Sequence, residues 1–325
     1  MKILRSRLRI ISSVENKYKR QYEQDLVNYL FSLGDEDSKE LLIETIEKFK
    51  KVNKSSFRRR ILIGVFLKLK GEISGEMAVA IDDLYIKSEL IKTALTNLRS
   101  NKWYKIANSI REFNHFKVTK VRNILIANYN YPRKEIRIEM ELYMVNLFNF
   151  KGLRFLNNMK TQMSRWEQIQ ILEILKNKEN HEPSDVTPWL RSENDSVVIF
   201  ALSLVKIYNL IETKDELLKL IYHASEAIRI EAINVLGFLN ISEIKDIIIA
   251  DFSQRSLEEQ LAVFNILEDL YDSSDEDFFK EQLNHPVFDI RVLSRQIIKD
   301  INVNKYQFPK PKYIKLVNHQ VSCSV

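Results

Sequence analysis

AIRIEA, residues 227–232, sets an apolar residue before an arginine and a small residue three positions after it. EIRIEM (135–140), SVVIFA (196–201) and DIRVLS (289–294) carry the same signal, with Arg137, Arg229 and Arg291 in the arginine place and Val198 substituting for it once. Aligning on the later residue gives a column of Ala107, Met140, Ile171, Ala201, Ala232, Ala262 and Ser294. Its steps are 33, 31, 30, 31, 30 and 32 residues, a regularity that unrelated helices rarely produce.

Each unit reads as two amphipathic helices. Leu217, Leu218, Leu220 and Ile221 line a short helix, residues 223–226 turn the chain, and Ile228, Ala232, Val235 and Leu236 recur at helical spacing. Such a pair buries its apolar stripe only by stacking on the next, and small residues in the column let neighbouring helices approach closely. Composition agrees: 45% of residues are apolar, 29% are charged, and six Gly and six Pro supply too few turns for a many-stranded sheet. The expected fold is all-α, a right-handed α-solenoid of antiparallel helix pairs. Residues 102–302 form the repeats, 1–101 a basic helix followed by degenerate capping helices, and 303–325 a basic, proline-broken, non-helical tail.

The units resemble HEAT repeats, whose second helix typically opens with Asp, then Val-Arg, then Ala. Asp289, Ile290 and Arg291 match closely, as does NDSVVIFAL (194–202) apart from Val198. The wider chain resembles a group of bacterial HEAT-repeat proteins, often membrane-anchored at the N-terminus and encoded near a glycosyltransferase. That likeness rests on GEISGE (71–76), Lys102-Trp103, GLRFL (152–156) and the run 189–201. It implies a fold rather than a chemistry.

Charge is segregated along the chain. Residues 1–180 hold 35 Lys and Arg against 21 Asp and Glu, whereas 181–300 hold 11 against 23. Near the start, Leu4, Leu8, Ile11, Tyr18, Tyr22, Leu26 and Tyr29 describe one long amphipathic helix to about Phe31. Lys2, Arg5, Arg7, Arg9, Lys17, Lys19 and Arg20 surround its first half and form the candidate contact with an anionic surface. Each contributes ~1 kcal/mol near an anionic leaflet. The competing expectation is a helix that caps the first repeat through Leu8, Ile11 and Tyr18. No segment reaches the ~18 apolar residues of a membrane span. The expected location is cytoplasmic, peripheral to or anchored at the inner membrane.

Catalytic signatures are missing from the sequence. His115, His181, His223, His285 and His319 form no HxxxH or HExxH pair, and GEISGE lacks the Lys-Ser/Thr of a phosphate loop. The lone Cys323 leaves no intramolecular disulfide. His223 and His285 each precede a column arginine by six residues, which predicts a structural turn role, and the arginines themselves are expected to bond neighbouring turns. The acidic run 273–277 is expected to cap the next helix. Trp103, Trp166 and Trp189 fall near helix starts, where core packing is the commoner use and base stacking the rarer one. The expected function is a non-catalytic scaffold for a protein partner, with no cofactor and no metal. The alternative is nucleic-acid binding of the HEAT-type alkylpurine DNA glycosylase kind, which needs cations and aromatics on one face.

Overall fold

The computed structural model describes residues 2–127, 130–177 and 185–306, with side-chain environments between Arg9 and Asn302. These residues contain seventeen α-helices and no strand. The chain divides between Ser184 and Asp185 into two compact units, so the segment 102–302 contributes to both.

The first unit contains α1 (Lys2–Phe31), α2 (Lys39–Val52), α3 (Ser56–Glu72), α4 (Gly75–Lys87), α5 (Leu90–Leu98), α6 (Trp103–His115), α7 (Arg122–Ala127), α8 (Lys134–Phe148) and α9 (Arg165–Lys176). Helix α1 packs on α2, α3 and α4, α5 packs on α6, and α6, α8 and α9 pack in succession. A chain of rings joins the first helices: Tyr22 meets Phe49 edge-on at 6.1 Å, Phe49 meets Phe66 at 5.6 Å, and Phe116 stacks on Tyr85 at 4.1 Å. Polar fastenings then tie these helices to α6. Glu112 accepts from the Tyr85 hydroxyl (2.8 Å) and pairs with Arg59, which also donates to the Leu90 carbonyl at 3.0 Å. Burial beside Glu112 pushes the Tyr85 hydroxyl far above its ordinary range, so it stays a donor.

After α8 a 3₁₀ segment, Asn149–Asn158, lies back on that helix. A side chain at Gly152 would collide with the Met144 carbonyl, which explains the glycine of GLRFL.

The second unit contains α10 (Thr187–Leu190), α11 (Asp195–Tyr208), α12 (Lys214–Leu220), α13 (Glu226–Phe238), α14 (Glu243–Ala250), α15 (Leu257–Leu270), α16 (Glu276–Glu281) and α17 (Phe288–Tyr306). Helices α11, α13, α15 and α17 pack in succession, and α10, α12, α14 and α16 each pack on the longer helix that follows. Asn209 and Asn240 take left-handed conformations (φ 53° and 56°) just after α11 and α13. Asparagine tolerates that region where a helix must stop sharply. Helix α17 continues to Tyr306, so residues 303–306 are helical rather than part of a tail. Extension of a helix already nucleated needs no further buried contact beyond Ile301. Residues 307–325 lie outside the described residues.

Every column residue is buried: Ala107, Met140 and Ile171 in the first unit, and Ala201, Ala232, Ala262 and Ser294 in the second. Gly237 shows how close the helices come, since a side chain there would strike Ile266 on α15. Ala232→Leu is therefore expected to overpack α13 and lower stability by about 1–3 kcal/mol, read from denaturant unfolding. An unchanged transition would mean that position 232 does not face a neighbouring helix.

Candidate interaction surfaces

The three column arginines make the same bonds. Arg137 Nη1 donates to the carbonyls of Tyr131 (2.7 Å) and Pro132 (3.0 Å), and Arg229 Nη1 to those of His223 (2.9 Å) and Ala224 (3.1 Å). Arg291 Nη1 reaches His285 (2.7 Å) and Pro286 (2.8 Å). Each guanidinium thus satisfies two carbonyls of the turn that enters its own helix. The histidines complete the turn: His223 Nδ1 accepts from the Ser225 amide at 3.0 Å, and His285 Nδ1 from the Val287 amide at 3.1 Å. Burial and the neighbouring Arg291 lower the His285 pKa, which keeps the ring a neutral acceptor. All of these bonds fall within the turn that enters each helix.

Arg229 also pairs with Glu259 at 2.8 Å, one repeat further on. Glu259 sits at the start of α15, where Ser256 and Glu259 form a reciprocal capping box. Burial would raise this carboxyl, but the Arg229 bonds and the Ser256 amide hold it below its usual range. Ser164 and Glu167 repeat the arrangement at α9, with Lys134 at 3.4 Å from Glu167. The acidic run does not cap α16, whose N-cap Asp275 makes no side-chain cap bond; Asp272, just before the run, and Asp275 instead form a capping box on the 3₁₀ turn Ser273–Asp275, and Lys245 pairs with both at 2.5 and 3.1 Å.

Two exposed stretches of the first unit combine large apolar or aromatic side chains with cations. On α1 the apolar stripe divides. Tyr22, Leu26 and Tyr29 are buried, but Ile10, Ile11 and Val14 are 62%, 50% and 40% exposed. Arg9, Lys17, Lys19 and Arg20 are exposed around them, and Arg9, Lys17 and Arg20 border one shallow groove. The side chains of Lys2, Arg5, Arg7, Leu4 and Leu8 lie outside the described residues. Helix α1 packs on α2, α3 and α4, but of the two described residues expected to cap, Ile11 is half exposed and Tyr18 is partly covered, stacked on Tyr22 at 5.9 Å.

The second surface follows the starts of α6, α8 and α9. Trp103 and Tyr104 are 39% and 45% exposed, and Trp166 is 66% exposed, whereas Trp189 is buried. Core packing therefore describes only the last of the three tryptophans. Arg133 lies over the Trp103 ring at 5.6 Å. A cleft of about 660 Å³ between α5 and α8 includes Lys92, Arg99 and Tyr131 in its wall and no carboxylate among the described residues that line it.

Among the described residues, no group of three His, Cys, Asp or Glu is placed to hold a metal, and no helix is long and apolar enough to cross a membrane. The class defined by this fold is an all-α protein of packed helix pairs. No family of known proteins matches the chain, and no curated protein sequence does either.

Two outcomes follow for the second unit. Arg229→Ala leaves the buried Glu259 with Arg255 at 3.4 Å and the Ser256 amide as its partners and leaves two turn carbonyls unpaired, an expected loss of about 2 kcal/mol in denaturant unfolding. Arg229→Lys recovers only part of it, since one ammonium cannot serve carbonyls and carboxylate together. Stability also depends on acid. Arg191 and Lys219 hold Glu216 at about 2, and Lys245 and Ser274 hold Asp272 at about 2. Both folded values lie below the unfolded ones of about 4, so their contribution is complete above about pH 5 and is lost as pH falls toward 2. The Glu216→Gln, Asp272→Asn double variant should flatten the decline in melting temperature over that window.

Proposed function

We propose that this chain is a non-catalytic interaction scaffold built as a HEAT-like α-solenoid and held at the cytoplasmic surface of the inner membrane by α1. The observation that carries the reading is the uncovered first half of that helix. Ile10, Ile11 and Val14 stay in water there, among four cations, while the stripe to which Ile11 belongs is buried from Tyr22 onward. An amphipathic helix with that division seats its aliphatic face at the acyl boundary and its cations among anionic headgroups. Support for the repeat reading comes from the arginine clamp, which recurs with the same partners in both units. Such repeats offer extended surfaces to a protein partner rather than enclosed pockets.

Co-sedimentation with liposomes tests the attachment. Binding should rise with anionic lipid content and fall with salt, because the attraction is screened over about 8–10 Å. Reversing Arg9, Lys17 and Arg20 to Glu should abolish it and leave the melting temperature nearly unchanged, since exposed charges contribute little to folding. Equal sedimentation of wild type and variant, or none at any lipid composition, would rule out attachment through α1.

A further inference from the structure

We propose that the strip running from Trp103 through Arg133 and Lys134 to Trp166 is a platform for single-stranded nucleic acid. The inference rests on the reading of the chain as a binding protein, but not on attachment of α1 to lipid.

The strip is continuous. Arg133 on the approach to α8 covers the Trp103 ring of α6 at 5.6 Å, and the next residue, Lys134, reaches Glu167 of α9 at 3.4 Å, beside Trp166. Three aromatic side chains are left in water along it, Trp166 by two thirds of its surface. Large rings kept exposed in a row mark a contact surface.

Its charge selects the partner. Residues 91–176 hold sixteen Lys and Arg, six Glu and no Asp. Most of those carboxylates are spent internally. Glu112 is bonded by Arg59 and Tyr85, Glu139 by Arg111 and Glu167 by Ser164 and Lys134, while Glu141 is buried. Only Glu135 and Glu173 are exposed. The cleft whose wall holds Arg99 and Lys92 includes Asn101 and Tyr131, each two residues before a member of the strip; no carboxylate among the described residues lines it, and Glu89, paired with Lys92 at 2.5 Å, is the acid beside it.

Cations alone would suit any polyanion. Exposed indoles add a preference for flat π faces, which unpaired bases present, a duplex hides and an acidic peptide lacks.

The test is anisotropy of a labelled oligothymidine of about twenty nucleotides with the full-length protein. Binding should weaken steeply between about 50 and 200 mM salt. It should also quench the emission of Trp103 and Trp166, leaving that of the buried Trp189. Trp166→Ala and Trp103→Ala should each weaken binding about tenfold, with unaltered circular dichroism. Where Trp103→Ala disturbs α6, the more exposed Trp166 carries the test. Absence of binding, variants that bind like the wild type, or equal affinity for duplex or polyglutamate would overturn the proposal. Liposome binding by the wild type is unaffected by any of these results, so failure of the strip and failure of α1 are read separately.

Discussion

A pair of amphipathic helices covers only one side of itself, and the stripe left over must be covered by the next pair. That constraint organises each unit. It requires small or compact side chains where successive helices cross, which is why Ala201, Ala232, Ala262 and Ser294 recur and why Gly237 faces Ile266 with no room for a side chain. It also requires the turn between paired helices to hold its shape, because a turn displaced by an ångström moves the whole following helix. The column arginines answer this need by binding two turn carbonyls each, and the histidines add an acceptor for a turn amide where they occur.

The ion pairs that fasten successive helices consume charges unequally, and the surfaces follow. In the first unit the fastenings Arg59–Glu112, Arg111–Glu139 and Lys134–Glu167 draw on a small supply of carboxylates, so the cations left over dominate the exterior. In the second unit Arg191, Lys214, Arg229, Lys245 and Arg255 are all engaged with carboxylates, and the surplus is acidic. One structural device thus yields two opposite exteriors, set by which sign is scarce.

The helical class and the column were legible in the sequence because packing between repeats recurs with the chain period, and a periodic cause leaves a periodic trace. His223 and His285 were legible for the same reason. The Tyr85–Glu112–Arg59 cluster was not, since its members come from three helices with no shared spacing. Gly237 is a single glycine in the last turn of α13, and such a residue does not by itself reveal the close approach of Ile266. Sequence alone does not separate the tryptophans, because all three lie near helix starts. What separates them is the helix that carries them: Trp189 lies on the short α10, packed against α11, whereas Trp103 and Trp166 occupy the first turns of α6 and α9, ahead of the buried residues of those helices. Position relative to the column decides exposure, and residue type alone does not.

The two exposed surfaces of the first unit differ in chemistry although both are basic. On α1 the uncovered groups are branched aliphatics, Ile10, Ile11 and Val14, which gain by leaving water for acyl chains and have no face to stack. At the starts of α6 and α9 they are indoles, whose flat faces gain most from another π system and whose size suits specific contact. A shared positive field draws anionic partners to either surface, but it does not distinguish between them. The apolar groups interleaved with the cations make that distinction, and it is for this reason that a lipid surface and an unpaired strand are proposed for different parts of one unit.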